Sequence, residues 1–139
     1  MNTLLLYIGG IGVLGIIFSL RSYLKVKKAE GGDQKMEEIS KAIEEGSIAF
    51  IKRQYKVVAI VAIVIAATLA YFFGILSAIG FLIGGAASAL AGYLGMMTAV
   101  KSNVKVAQAA KKGLEQAFSL AYIGGSVTGF LVVSLGLIV

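Results

Sequence analysis

The amino-acid sequence predicts an all-α, polytopic membrane protein with four transmembrane helices, and three observations support this prediction. First, the thirteen basic and seven acidic side chains all lie in two intervals, 21–56 and 101–115. Second, the runs outside them, 1–20, 57–100 and 116–139, are uncharged and mostly apolar. Third, hydrophobic residues make up 58% of the chain, and its eighteen glycines are concentrated in the uncharged runs, as is common in membrane helices.

The lengths of the uncharged runs set the number of spans. A helix crosses the hydrocarbon core in about 20 residues, so the first and last runs provide one span each. The 44-residue middle run must turn back on itself. We expect the turn at Tyr71-Phe72-Phe73-Gly74, where interfacial aromatic residues precede a glycine that can end a helix. The predicted spans are 4–24, 54–73, 76–100 and 117–139, within one membrane-helical unit, 1–139.

We interpret the first run as a span and not as a cleaved signal peptide. No basic residue precedes its apolar part, the basic residues follow it instead, and no small-x-small cleavage site precedes Arg21. The first span is therefore expected to stay in the membrane.

The two charged intervals connect span one to span two and span three to span four, so both face the same compartment. Together they contain all thirteen Lys and Arg residues. Because basic residues near span ends are retained on the cytoplasmic side, we predict cytoplasmic loops at 25–53 and 101–116, with both termini outside, in a multi-pass protein of the cell membrane. The net charge of +6 is then explained by topology, and no nucleic-acid partner is implied.

The first loop contains its own helical signals. Gly31-Gly32 breaks the chain, Asp33 is a good helix N-cap, and Met36, Ile39 and Ile43 recur at helical spacing. We expect one long helix that continues into the second span and packs its apolar stripe on neighbouring cytoplasmic helices. The alternative is a membrane-surface or partner-binding helix.

Small residues predict where membrane helices pack closely, because glycine lets two backbones approach. The third span has such residues every four positions, and the fourth span has one further pair. These positions are Gly80, Gly84, Ser88 and Gly92, followed by Gly125 and Gly129. We expect them, and the glycine-rich first span (Gly9, Gly12, Gly15), to face other helices, whereas the Val- and Ile-rich second span should face lipid.

The chain contains few of the residue types that enzymes use for catalysis. It has no cysteine and no histidine, Asp33 is its single aspartate, and no acidic residue lies within a predicted span, where the basic residues Arg21 and Lys56 lie only near the span ends. A membrane ion relay needs ionisable groups at depth, and neither a P-loop nor a nucleophile elbow occurs. We therefore predict no catalytic, no cofactor-binding and no metal-ligating residue in this chain. The polar side chains of the spans are interpreted as back-bonded or interhelical hydrogen-bonding groups, among them Thr68, Ser77, Ser88, Tyr93, Ser126, Thr128 and Ser134.

Three groups of residues carry a resemblance to a known family. They are Lys35-Met36, Ala42-Ile43, Glu45-Gly46, Ala49-Phe50 and Arg53-Gln54-Tyr55, then the string Ser88-Ala-Leu-Ala-Gly-Tyr-Leu-Gly-Met96, and then Asn103-Val104, Ala107 and Ala109-Ala110. In order and spacing, they resemble the N-terminal region of the membrane-bound, ion-translocating inorganic pyrophosphatases. Lys105 stands where that family usually carries arginine, a change that preserves the charge.

The resemblance implies a homodimer with sixteen membrane helices per subunit, which couples hydrolysis of magnesium pyrophosphate at a cytoplasmic site to outward pumping of protons or sodium. This chain would be about the first quarter, four outer-ring helices at the N-terminal part of a larger helical bundle. The family's aspartate-rich motifs lie on later helices and match no position here. Mg²⁺ would thus bind outside this segment, and the roles of K⁺ and Na⁺ stay open. The partners implied are the lipid bilayer, the remaining helices, a second subunit and inorganic pyrophosphate.

One alternative of a different class remains at the level of sequence. A self-contained four-span assembly or accessory subunit without enzymatic activity would show the same composition. An ion-carrying rotor-ring subunit is disfavoured, because it requires an intramembrane carboxylate that the predicted spans lack.

Overall fold

The computed structural model describes residues 2–139 and confirms the all-α class. Its four helices are α1 (Asn2–Lys28), α2 (Gln34–Phe73), α3 (Ile75–Ala110) and α4 (Leu114–Ile138). Each helix is long and apolar enough to cross a membrane. Within the described range there is no strand, so the backbone polar groups are satisfied inside helices, as a bilayer requires.

The turn between α2 and α3 lies at Gly74, where the sequence predicted it. Gly74 has φ +88°, and its N–H donates to Ala70 O at 3.1 Å. The linker between α3 and α4 ends at Gly113, which has φ +144°. Both backbone conformations are strained for residues with a Cβ, so each of these two bends depends on a glycine.

The long second helix is also confirmed. The Asp33 side chain accepts a hydrogen bond from Met36 N at 3.0 Å, and α2 then runs without interruption for 40 residues, about 60 Å. Glu37 reaches back and accepts from Gly32 N at 3.2 Å. The two acidic side chains together fix the point where α2 begins.

The third helix continues well past its predicted span. Its predicted end was at residue 100, but α3 ends at Ala110, so the second charged interval is mostly helical and the linker is only 111–113. The physical reason is that no glycine or proline occurs between Gly95 and Gly113, and this stretch is rich in alanine, the best helix former.

The helices are ordered α1, α4, α3, α2 across the bundle. α1 packs on α4, α4 on α3 and α3 on α2, while α1 touches α3 only slightly and, within residues 2–139, does not pack on α2. Because consecutive helices cross in opposite directions, neighbours in this order are antiparallel.

Close helix contacts occur where glycine faces a small polar side chain. A Cβ added to Gly95 of α3 would lie 2.6 Å from Thr128 Cγ2 of α4, and one added to Gly15 of α1 would collide with Ser134 Oγ. Gly124 lies where three helices meet, with Ser102 of α3 within 3.0 Å of the added Cβ. These positions leave no room for a side chain.

Within this chain, the predicted close contact of Gly80, Gly84, Ser88 and Gly92 is wrong for most of its members. A Cβ at Gly80 would meet nothing within 4 Å, one at Gly84 would reach only Val139 at 3.8 Å, and Ser88 is exposed. Gly92 alone is close to a neighbour, Tyr55 Oη of α2 at 3.2 Å. At Gly84 and Ser88 the reason is a groove of about 310 Å³ between α3 and α4, which is bordered on the other side by Leu135 and Gly136 of α4.

The predicted glycine contacts are absent in α4 and partly present in α1. A side chain at Gly125 or Gly129 of α4 would meet nothing within 4 Å, so this predicted pair makes no close contact within the chain. In α1, Gly12 packs on Ile138, as predicted, whereas Gly9 faces open space.

The four helices do not enclose a hydrophobic core. The chain exposes 9682 Å², whereas a compact soluble protein of this mass exposes about 6,900 Å². No large side chain among the described residues is fully buried, and the Val- and Ile-rich part of α2 is exposed on most sides, as predicted for a lipid-facing helix. Much of this surface must therefore be covered by lipid or by other protein.

The first prediction concerns Gly95. Gly95→Leu places a side chain against the stiff, β-branched Thr128 and should lower the free energy of unfolding in detergent by about 1 to 3 kcal/mol, the usual range for overpacking. Gly85→Leu is the matched control on the same helix, because a Cβ there meets nothing within 4 Å. Thermal unfolding of both variants checks the prediction, and equal midpoints would contradict it.

Candidate functional site: a lysine clasp at the loop end

Among residues 2–139, Lys105 donates the most side-chain hydrogen bonds, and it lies on the part of α3 beyond the predicted span 76–100. Its ammonium donates three hydrogen bonds to carbonyl oxygens at the end of α1, to Val26 O at 2.9 Å, Lys27 O at 2.7 Å and Ala29 O at 3.1 Å. An ammonium has three N–H groups, so all three are used.

This position suits a cation for two reasons. The last four carbonyls of a helix have no partner within it, and α1 ends at Lys28, so Lys27 presents such an oxygen, while Val26 O also accepts from Ala29 N at 3.1 Å. The C-terminus of a helix also carries a partial negative charge. Lys105 therefore links α3 to the end of α1, although the two helices barely touch elsewhere.

Two ion pairs bind the two interhelical linkers together. Lys111 pairs with Asp33 at 2.9 Å, and Lys112 pairs with Glu30. The hydrogen bond and charge of Lys112 lower the pKa of the Glu30 carboxyl. The hydrogen bond from Lys111, aided by that from Met36 N, lowers the pKa of Asp33. All four side chains are exposed, so each pair stabilises the fold only weakly. We call these two pairs and Lys105 the loop clasp.

The loop clasp borders an open groove of about 550 Å³ between the ends of α1 and α3 and the start of α4. Four charged side chains line it, Lys105, Lys112, Glu30 and Glu115, and both lysines are engaged by oxygens of the chain itself. The groove thus has no surplus of positive charge for a phosphate. Two carboxylates are also fewer than a magnesium pyrophosphate site needs.

Some of the polar side chains of the spans form the predicted hydrogen bonds to backbone carbonyls. Thr68 and Ser126 donate to carbonyls of their own helices, whereas Ser77 of α3 donates to Phe73 O at the end of α2. Sequence reasoning missed two interhelical bonds, from Ser19 Oγ to Val127 O at 2.8 Å and from Tyr55 Oη to Ala89 O at 2.5 Å. No sequence signal identified these carbonyl partners, because the spatial order of the helices decides them.

Residues 2–139 contain no group of three or more His, Cys, Asp or Glu side chains that could hold a metal ion. The expectation that this chain carries no catalytic, cofactor-binding or metal-ligating residue stays a prediction. The loop clasp has a structural role. Lys105 caps the end of α1, and the two ion pairs connect the linker after α1 to the linker after α3.

The second prediction tests the cap on α1. Lys105→Met removes three charge-assisted hydrogen bonds and should lower the free energy of unfolding by about 1 to 3 kcal/mol. Lys105→Arg retains the charge and offers five donors, so it should remain close to the parent protein. Lys56→Met, at an exposed position of α2, is the matched control for loss of one charge. The prediction fails if Lys105→Met and Lys56→Met unfold at the same temperature.

The third prediction concerns pH. The pKa values of Glu30 and Asp33 are lowered from 4.5 and 3.8, so the ion pairs stabilise the fold above those values, and this contribution is lost as pH falls through the lowered ones. The double variant Lys111→Met/Lys112→Met should unfold at a slightly lower temperature than the parent at about pH 7. The difference should shrink as pH falls through these lowered pKa values and vanish at the acidic pH where both carboxyls are protonated. A difference that persists there would contradict the assignment.

Comparison with known proteins places the chain in a family. A family model described as "Inorganic H+ pyrophosphatase" matches residues 13–139. The chain is 39% identical over 129 residues to a K⁺-insensitive pyrophosphate-energized proton pump of Methanosarcina mazei, which covers 91% of this chain and 19% of the relative. It is 39% identical over 128 residues to a second protein of that description from Moorella thermoacetica, with the same two coverages.

A putative K⁺-stimulated pyrophosphate-energized sodium pump of Clostridium tetani is 35% identical over 129 residues, which cover 93% of this chain and 19% of the relative. The chain therefore spans about a fifth of the length of these relatives, somewhat less than the quarter expected from the resemblance. Because the family model covers nearly the whole chain and the identity extends across all four helices, the chain belongs to the inorganic H⁺ pyrophosphatase family.

Proposed function

We propose that this chain is the structural N-terminal, outer-ring segment of a pyrophosphate-energised ion pump, which hydrolyses inorganic pyrophosphate and translocates protons or sodium. The observation that carries the proposal is the family match across residues 13–139, in relatives about five times as long. The activity would reside in the whole pump, and this segment would support it.

The distribution of charge supports a structural role. Hydrolysis of magnesium pyrophosphate needs several carboxylates that bridge Mg²⁺ to phosphate oxygens, and coupling needs ionisable groups within the membrane. The chain has one aspartate, and its six glutamates lie in the two charged intervals. In the proposed pump, Mg²⁺ and pyrophosphate bind to groups on the remaining helices.

The open surface of the bundle supports association with those helices. Within the part of the chain that the structure describes, nine hydrophobic residues are buried, and apolar side chains are exposed along all four helices. In the proposed pump, part of this surface faces lipid and part faces the other helices, and two subunits form a homodimer. The relatives include proteins named as proton pumps and as sodium pumps. The proposal therefore covers both H⁺ and Na⁺ as the pumped ion and makes no statement about K⁺.

The proposed topology places the N-terminus outside, the two charged intervals in the cytoplasm and the C-terminus outside. The chain contains no cysteine, so single cysteines can be labelled without background. Gln34→Cys should react with an impermeant maleimide only after the cells are opened, because it lies at the loop end. Tyr71→Cys, at the opposite end of α2, is the matched control and should react in intact cells. The reverse pattern would overturn the topology.

The activity experiment separates a scaffold from an enzyme. The purified chain should show no Mg²⁺-dependent hydrolysis of pyrophosphate, and co-expression with a relative's remaining helices should give activity that those helices lack alone. Hydrolysis by the isolated chain would overturn the structural role. Full activity of the other helices without this segment would instead favour the accessory subunit without enzymatic function.

A further inference from the structure

Two grooves adjoin each other between α1 and α3, at the level where the membrane ends on the loop side. The outer groove has a volume of about 260 Å³ and is lined by the ends of α1 and α3 and the start of α2. The inner groove has a volume of about 240 Å³ and lies over α4. Tyr23, Thr98 and Lys101 line both grooves, so the two form one continuous cleft, which we call the boundary cleft.

The outer part of the boundary cleft carries an excess of positive charge. Its charged lining residues are Lys27, Lys41, Lys101, Lys105, Glu37 and Glu44. Lys101 pairs with Glu44 at 3.4 Å, and Lys105 is held by the carbonyls of α1.

Lys27 and Lys41 are exposed and, within residues 2–139, form no ion pair. The other glutamate of the cleft, Glu37, accepts a hydrogen bond from Gly32 N. Two unbalanced positive charges from different helices therefore face the same groove, and an anion would be attracted to both.

The inner part of the boundary cleft is apolar. Leu20 of α1, Leu94 and Met97 of α3, and Val127 and Leu131 of α4 form most of its lining. The hydroxyl groups of Ser19 and Thr98 in this groove are already engaged, because Ser19 donates to Val127 O and Thr98 donates to Leu94 O. From Lys101 to Leu94 the cleft descends about 10 Å along α3, which places it within one leaflet.

We propose that the boundary cleft binds one anionic phospholipid of the loop-side leaflet, with its phosphate between Lys27 and Lys41 and one acyl chain in the inner groove. Basic pockets between membrane helices suit anionic head groups, and Tyr23 lies at the depth where aromatic side chains meet head groups. The adjoining apolar groove favours a lipid over free phosphate, because free phosphate would leave that groove empty. The proposal does not depend on pump activity.

The experiment uses thermal unfolding of the 139-residue chain in a neutral detergent, with added lipid. Phosphatidylglycerol should raise the unfolding temperature in a saturable manner, because a ligand of the folded state stabilises it. Phosphatidylcholine with the same acyl chains, inorganic phosphate and pyrophosphate should each produce a much smaller rise. An equal rise with phosphatidylcholine, or with either free anion, would overturn the proposal.

Two matched double variants locate the head group. Lys27→Gln/Lys41→Gln should weaken the apparent affinity for phosphatidylglycerol on the order of 25-fold, at roughly fivefold per lysine. Lys25→Gln/Lys52→Gln removes the same charge from exposed positions outside the cleft and should weaken it far less. Equal losses in the two variants would mean that anionic lipid binds by general attraction only, which would contradict a defined site.

Two further variants complete the experiment. The first tests whether an acyl chain occupies the inner groove, and the second detects lipid binding without relying on the lysine variants. Leu94→Trp should abolish the preference for long-chain over dihexanoyl phosphatidylglycerol, since it fills the inner groove. Ser40→Cys, whose side chain lines the outer groove, should react more slowly with a soluble maleimide when phosphatidylglycerol is present. Unchanged labelling of Ser40→Cys at saturating lipid would overturn the proposal even if every lysine variant unfolded.

Discussion

The exclusion of charge from the hydrocarbon is the constraint on which the rest of this structure depends. All Lys, Arg, Asp and Glu side chains lie in two intervals, and the helix directions bring both intervals to the same end of the bundle. Electrostatic contacts can therefore form only at that end, and the loop clasp is the result. Across the membrane, the helices are held by close packing and by a few hydrogen bonds to backbone carbonyls.

The loop end of the bundle and its opposite end are therefore held together by different interactions. At the loop end, Lys105 and the linker ion pairs connect α3 and α4 to the end of α1 and the start of α2. Towards the other end, a groove of about 310 Å³ lies between α3 and α4, and no charged residue is available there to form an ion pair. A row of four helices with ion pairs at one end only, and with apolar side chains exposed along its length, fits the proposed peripheral layer of a larger bundle.

Sequence predicted the features that depend on local chemistry. The lengths of the uncharged runs gave the number of spans, Gly74 gave the turn, and Asp33 gave the start of α2. It could not predict the order α1, α4, α3, α2, because small residues mark possible contacts without naming partners. Gly125 and Gly129 show this, since they have the spacing of a contact pair but face no other helix of the chain. Lys105 was missed as a cap for the same reason, because its carbonyl partners lie about 80 residues earlier in the sequence.

The spatial order of the helices is the central claim, since the loop clasp, the boundary cleft and the open faces all follow from it. Disulfide formation between paired cysteines in native membranes tests it most directly. Ser19→Cys/Val127→Cys joins α1 to α4, where Ser19 Oγ lies 2.8 Å from Val127 O, and mild oxidation should link this pair readily. Ser19→Cys/Ala66→Cys joins α1 to α2 and should stay reduced. Rapid linkage of the second pair without the first would contradict the order.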